Sequence, residues 1–236
     1  MYMIEVKDIT KTYGKKDNLF TALSGVSFTI PEGSTVAIIG KSGSGKSTLM
    51  HIMSGLDHPD SGTVTIDGQI LHHLKGKAMD KFRATEMSFI FQSFFVEGNQ
   101  TCYQNVSLPL EIAEKRGRKK HVYEALEQVD LIDKVNSRAR DLSGGQKQRL
   151  AIARSIVNKP NLIFADEPTG NLDSATGDKI IKLLFDLNKK IGNTLIIVTH
   201  DDELAAQCQF RITLKDGHII DMKDQSKRKP LKGAKT

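Results

Sequence analysis

The segment that most restricts the fold is a short apolar run, Val36-Ala37-Ile38-Ile39, that leads directly into Gly40-Lys41-Ser42-Gly43-Ser44-Gly45-Lys46-Ser47. A run apolar at every position predicts a strand buried on both faces. Residues 46–55, with apolar Leu49, Met50, Ile52 and Met53, predict a helix. A buried strand that turns into a helix through glycines begins an α/β unit around a parallel sheet. The turn also has a chemistry. Glycines let successive N–H groups point inward as an anion cradle, and the helix adds its positive end. Lys46 has the length to reach β- and γ-phosphate oxygens, the Ser47 hydroxyl suits Mg²⁺, and Thr48 adds a donor near an α-phosphate.

Two further runs, residues 161–166 and 194–199, are apolar at nearly every position and predict more buried strands. Residues 180–191, with apolar positions at helical spacing, predict a helix between them. The first run ends on Asp166-Glu167. An acid at the C-terminal end of a buried strand beside a phosphate loop suits Mg²⁺ coordination, and the next carboxylate is placed to orient or deprotonate an attacking water. The second run ends on His200, either a structural histidine or a phosphate contact, and Asp201 and Asp202 suit a helix start. Residues 2–9, 19–30 and 61–70, with turn signals at Pro31-Glu32-Gly33 and Asp67-Gly68, predict a small antiparallel layer. Residues about 104–158 read as wholly helical, with breaks near 116–118 and 136–140. That is a helical lobe inserted between two core strands. Within it, Ser143-Gly144-Gly145 precedes a helix over 146–157 and is either an N-cap or a second helix-start anion site.

The string Leu142-Ser143-Gly144-Gly145-Gln146-Lys147-Gln148-Arg149 resembles the signature sequence of ATP-binding-cassette (ABC) ATPases. The family's other elements follow in the family's order over residues 3 to 222. The resemblance implies ATP and Mg²⁺ as ligands, Tyr13 as the aromatic that stacks on adenine, and residues 40–48 as the phosphate loop. It implies Gln92, Asp166 and Ser47 around Mg²⁺, Glu167 as the base, and His200 against the γ-phosphate. Asn171-Leu172-Asp173 is similar to the loop that crosses between subunits. A head-to-tail homodimer is then implied in the ATP-bound state, with Ser143, Gly144 and Gly145 of one copy closing on the ATP of the other. The expected fold is a P-loop NTPase core with a mainly parallel sheet, an N-terminal antiparallel β-subdomain and an inserted helical subdomain at about 93–158. The string from Ala165 to Asp173 is similar to the subfamily that energises lipoprotein release, macrolide export and antimicrobial-peptide resistance (MacB/LolD/FtsE-like). It implies an integral membrane permease as partner and a peripheral location on the cytoplasmic face of the cell membrane. The segment after Gln92 departs from that subfamily: Glu97, Gly98 and Asn99 are polar where an apolar stretch is usual. Either the membrane partner is atypical or the loop has drifted.

Composition limits the alternatives. The 236 residues, 39% hydrophobic and 26% charged, suit one large domain, expected over 1–222, with no apolar run long enough to cross a bilayer and no signal-peptide pattern. Cys102 and Cys208 have no metal-ligand spacing and are expected as reduced thiols. The net charge of +6 gathers partly in residues 223–236, expected as a basic, disordered tail. A soluble cassette protein acting on nucleic acid or in cell division is the competing class. Soluble relatives carry a second cassette, a coiled coil or a zinc insertion, and this chain has none. No aromatic–basic interleaving supports nucleic-acid binding, and none is expected.

Overall fold

The computed structural model describes residues 2–15 and 18–226. Among them ten strands form two sheets. The smaller, ordered β2-β1-β4-β5, is antiparallel and contains β1 (Tyr2–Tyr13), β2 (Phe20–Pro31), β4 (Ser61–Ile66) and β5 (Gln69–Ile70). The larger has the order β10-β9-β3-β8-β7-β6, with β3 (Thr35–Ile39), β6 (Met87–Phe91), β7 (Leu162–Asp166), β8 (Thr194–Thr199), β9 (Phe210–Lys215) and β10 (His218–Asp224). Five of its strands run parallel, and β10 pairs antiparallel on β9 at the edge.

Strand periodicity divides the core. Val36 and Ile38 of β3, Phe164 of β7 and Ile196 and Val198 of β8 join the cluster under the antiparallel sheet, together with Leu49, Met50, Ile52 and Met53 of α1 (Lys46–Met53). Ala37 and Ile39, Ile163 and Ala165, and Leu195 and Ile197 face the opposite cluster. Alternate side chains of one strand thus serve two hydrophobic layers, which is why these strands read as continuous apolar runs. The opposite layer is capped by α3 (Cys102–Ile112), α4 (Arg118–Gln128), α5 (Gly144–Ile156) and α6 (Ser174–Ile191). The first three make the helical lobe.

The departures from the expected elements are local. The lobe is not helical throughout: between α4 and α5 only two 3-10 turns, Ile132–Lys134 and Ala139–Asp141, interrupt irregular chain. Helix α5 begins at Gly144 rather than 146 because the Ser143 hydroxyl accepts the Gln146 N–H and the Gln146 side chain accepts the Ser143 N–H. Helix α6 starts six residues before the periodic stretch, since Asp173 caps it through the Thr176 N–H. Strand 61–70 is a hairpin whose Asp67 and Gly68 both take positive φ, the turn that matches strand twist. Helices α2 (Lys77–Glu86) and α7 (Asp202–Gln207) and strands β6, β9 and β10 complete the chain. Lys223 and Asp224, assigned by sequence to the basic tail, pair with Arg211 and Phe210 in β10, and Gln225 is buried. Residues 227–236 of that segment lie outside the described residues. Both cysteines are buried free thiols, and burial pushes Cys208 up to about 12.

Phe164 is fully buried and stacks on Phe89 at 5.5 Å. Phe164→Ala is expected to cost about 3–5 kcal/mol of stability, read as a lower urea midpoint; an unchanged midpoint would show that the layer under the antiparallel sheet does not depend on this ring.

Candidate functional site

Sheet register brings four loop starts to one edge. Phe91 pairs with Asp166, Asp166 with Val198, and Ile39 with Thr199. Gln92, Glu167, His200 and Gly40 therefore leave neighbouring parallel strands at the same C-terminal end, where open α/β sheets bind ligands.

The phosphate loop closes on itself there. Lys46 Nζ donates to the carbonyls of Gly40 and Lys41 at 2.8 and 3.0 Å, which leaves one of its three donors uncommitted. A Cβ at Gly40 would collide with the Leu214 carbonyl and the Ser44 hydroxyl, and one at Gly45 (φ +101°) would collide with the Ala22 carbonyl. Both positions require glycine for close approach, and Gly45 for backbone angle as well. Ser42 and Gly43 are at the surface of the loop, whereas Ser44 is buried and its Oγ has no hydrogen-bond partner. An unpaired buried hydroxyl beside the start of α1 fits an incoming anion. Ser47 and Thr48 follow in the first turn of α1.

Asp166 and Glu167 stand opposite the loop. Burial, then the Glu167 charge, raises the Asp166 carboxyl above its ordinary value, and His51 and Lys46 pull it back. Glu167 occupies the left-handed region at φ +45° and is tied through its N–H to the Val198 carbonyl at 2.9 Å. A non-glycine residue held there costs roughly 1–2 kcal/mol, so neighbouring contacts must impose the conformation. Glu167 Oε1 lies 2.8 Å from His200 Nδ1, and Oε2 accepts the Thr199 hydroxyl at 3.4 Å. The Glu167 hydrogen bond and charge raise His200 above its ordinary value of 6.5. Ser47, Asp166 and the amide oxygen of Gln92 are hard oxygen donors of the kind Mg²⁺ takes.

Not every sequence-predicted residue meets this edge directly. Gln92 Nε2 donates to Asn171 Oδ1 at 3.3 Å, and Asn171 Nδ2 donates to the Gln92 carbonyl at 2.9 Å, so Gln92 is coupled to the 171–173 loop. Tyr13 is 39% exposed, lies beside Thr48 and donates its hydroxyl to Asp57 Oδ2 at 2.6 Å. Ser143, Gly144 and Gly145 sit at the start of α5 against Thr176, Leu172 and Phe94. Among the described residues no hydrogen bond joins them to residues 40–48. Asp173 is committed to capping α6, and its bonds to the Thr176 side chain and N–H lower its carboxyl below the usual range.

The geometry adds residues the sequence did not single out. Gln148, fully buried on α5, donates to the Pro168 carbonyl at 2.6 Å and fixes the turn after Glu167. Arg154 holds the 93–99 segment by donating to the carbonyls of Phe94 and Phe95 at 3.2 and 2.6 Å; both phenylalanines have positive φ. The backbone of that segment is bonded to the helical lobe, while the Glu97 and Asn99 side chains stay exposed. Asn105 bonds both the Glu97 N–H and carbonyl, Arg140 N–H donates to Gly98, and Arg140 Nη1 donates to Asn99. They fasten the segment to the helical lobe and leave Phe95 62% exposed.

A phosphate loop at the C-terminal edge of a parallel sheet, with a carboxylate pair opposite and a helical lobe inserted, defines a P-loop ATPase cassette. The family model described as ABC transporter matches residues 23–170. The ABC transporter ATP-binding protein YbbA of Escherichia coli K12 is 43% identical over 222 residues, covering 92% of this chain and 96% of that protein. The macrolide export ATP-binding/permease protein MacB of Bdellovibrio bacteriovorus is 44% identical over 217 residues, covering 92% of this chain and 33% of that longer protein. Among solved structures, the dimeric post-hydrolysis state of the ATP-binding cassette MJ0796 bound to ADP and Pi superposes with a TM-score of 0.85 at 40% identity, covering 94% of this chain and 98% of that one. The chain belongs to the ABC transporter family, as an ATP-binding, ATP-hydrolysing subunit of the MacB-like group.

The imidazolium of His200 is favoured by the Glu167 carboxylate, so the bond contributes most below pH 6.5 and fades as pH rises through the elevated folded value. In Glu167→Gln the His200 titration, followed by NMR of the ring protons, is expected to fall back toward 6.5; an unmoved titration would place the cause of the shift elsewhere.

Proposed function

We propose that the chain hydrolyses ATP at a composite site built by two copies and delivers the resulting motion to an integral membrane permease. The convergence of Lys46, Asp166, Glu167 and His200 on one sheet edge is the observation that carries this reading. The amides of Gly40, Lys41, Ser42, Gly43, Ser44 and Gly45, with Ser47 and Thr48, cradle the phosphates. Lys46 exchanges its loop carbonyls for β- and γ-phosphate oxygens, and Tyr13 supports the adenine. Ser47, Gln92 and Asp166 hold Mg²⁺, which offsets phosphate charge when bound. Glu167, fixed in place by His200 and Thr199, accepts the proton of a water attacking the γ-phosphorus in line; the bond to the β–γ bridging oxygen breaks, ADP and phosphate are the products, and Lys46 balances charge developing on the phosphoryl oxygens. His200 retains its other ring nitrogen for the γ-phosphate.

Ser143, Gly144, Gly145 and Asp173 act on the ATP of the second copy. Their distance in bonding from the chain's own loop and the dimeric form of the MJ0796 cassette support this. The open hydrogen-bonding side of Ser143 is its hydroxyl proton, since the oxygen already accepts from Gln146. ATP then draws two copies together, and hydrolysis releases them, a two-state motion biased by nucleotide.

Among the described residues no helix is long and apolar enough to cross a membrane. The name of MacB joins an ATP-binding part and a permease in one protein. That likeness supports an integral membrane permease as the part this cassette drives, with the chain held peripherally on the cytoplasmic face. The exposed Phe95, on a segment braced by Arg154, Asn105 and Arg140, supplies an apolar contact for such a partner. The relatives give no support to a nucleic-acid role.

Glu167→Gln is expected to keep ATP binding while hydrolysis falls by about 10²–10⁴. Steady-state phosphate release beside equilibrium ATP binding reads both, and hydrolysis within tenfold of the unaltered chain would remove Glu167 from the role of base.

A further inference from the structure

The loop that leaves α1 is stitched to the end of β1 by bonds through two acidic residues, Asp57 and Asp60. Asp60 donates its N–H to the Thr10 carbonyl at 2.8 Å and accepts the Thr12 N–H at 2.6 Å. Lys11, whose side chain is only 12% exposed, donates to Asp57 Oδ1 at 3.0 Å and to the His58 carbonyl at 2.7 Å. Asp57 Oδ1 also accepts the His58 N–H at 2.7 Å, and Oδ2 accepts the Tyr13 hydroxyl at 2.6 Å. The Lys11 ammonium stands 5.1 Å from the Tyr13 ring centroid. Asp57 itself rides on α1, because its N–H donates to the His51 carbonyl at 3.1 Å. Tyr13 is therefore held at two points, its hydroxyl by a carboxylate and one ring face by a cation, while a large part of it stays open to solvent. The exposed part of the ring is what a flat ligand can use.

Stability alone is a weak reason for such a network, since ion pairs at a solvent boundary add little to it. The Asp57 carboxyl is nonetheless strongly engaged: burial would raise it, but bonds from Tyr13, Lys11 and the His58 N–H hold it below its usual value. What the network does accomplish is mechanical. Helix α1 begins at the phosphate cradle and ends at the turn that carries Asp57, so a ring tied to Asp57 is referenced to the cradle itself.

We propose that Asp57, together with Lys11, is a positioning residue of the nucleotide site: it fixes Tyr13 to α1 so that the shelf for a purine base and the cradle for its phosphates form one preassembled unit. The proposal rests on the reading of Tyr13 as the surface on which the base stacks. Ordering an aromatic side chain before the ligand arrives removes that cost from binding, a factor of about two to ten in affinity. The benefit applies only to ligands that carry a base.

The test is calorimetric titration of the full chain with ADP and, separately, with inorganic pyrophosphate, which shares the phosphates and lacks the base. Asp57→Ala and Tyr13→Phe are each expected to weaken ADP about two- to tenfold and leave pyrophosphate unchanged. The double variant is expected to be no weaker than Asp57→Ala, because both changes remove one interaction. Asp57→Ala binding ADP as the unaltered chain does, or losing ADP and pyrophosphate equally, overturns the proposal. Tyr13→Ala separates the two levels of the claim. Unchanged ADP affinity in that variant ends the stacking reading and the proposal with it. Weaker ADP binding in Tyr13→Ala with none in Asp57→Ala ends the proposal alone.

Discussion

Everything in this molecule that acts on nucleotide depends on the way fully buried β3 passes into α1. A strand with no exposed face delivers its last residue to the edge of the sheet, and the chain there must reverse into a helix without a bulky side chain. Glycine at 40 and 45 meets that requirement because any Cβ would strike the Leu214 or Ala22 carbonyl. The same turn leaves the Ser44 hydroxyl buried without a partner at the start of α1. Lys46 bonds the Gly40 and Lys41 carbonyls of the same turn. Packing and anion binding are thus two consequences of one backbone path.

The parallel register extends this local constraint across the sheet. Because β3, β8, β7 and β6 are neighbours in step, the residues that follow them arrive at one edge with little freedom to miss. The strained φ of Glu167 is sustained by its bond to Val198 on the adjacent strand and by the buried Gln148 holding Pro168. Burial, then the Glu167 charge, raises the Asp166 carboxyl, while His51 and Lys46 pull it back.

Much of this was legible in the sequence, for identifiable reasons. Strands buried on both faces read as unbroken apolar runs, so β3, β7 and β8 stood out within a residue of their ends. The placement of the glycine turn before α1, of Asp166-Glu167 at a strand end and of Ser143 at a helix start is legible because it depends on local spacing. Helix starts were misplaced at α5 and α6, where a capping side chain rather than apolar periodicity sets the boundary. The end of β10 is illegible because Lys223 and Asp224, paired on β9 at the sheet edge, have the composition of the basic tail that follows. The partners of Tyr13 and of the 93–99 segment were illegible for a different reason. Asp57 is 44 residues from Tyr13, and Arg154 is 59 from Phe95, so only the fold brings them together.

The central claim is that the loop of one chain is completed by the signature of another. It is tested most directly by sedimentation velocity of the Glu167→Gln chain at saturating ATP, with and without Ser143→Arg, alongside ATP binding by the dilute, monomeric protein. The account predicts that Ser143→Arg abolishes the ATP-dependent dimer and leaves monomer affinity for ATP unchanged. A dimer that persists, or a monomer that loses ATP when Ser143 is replaced, would contradict it.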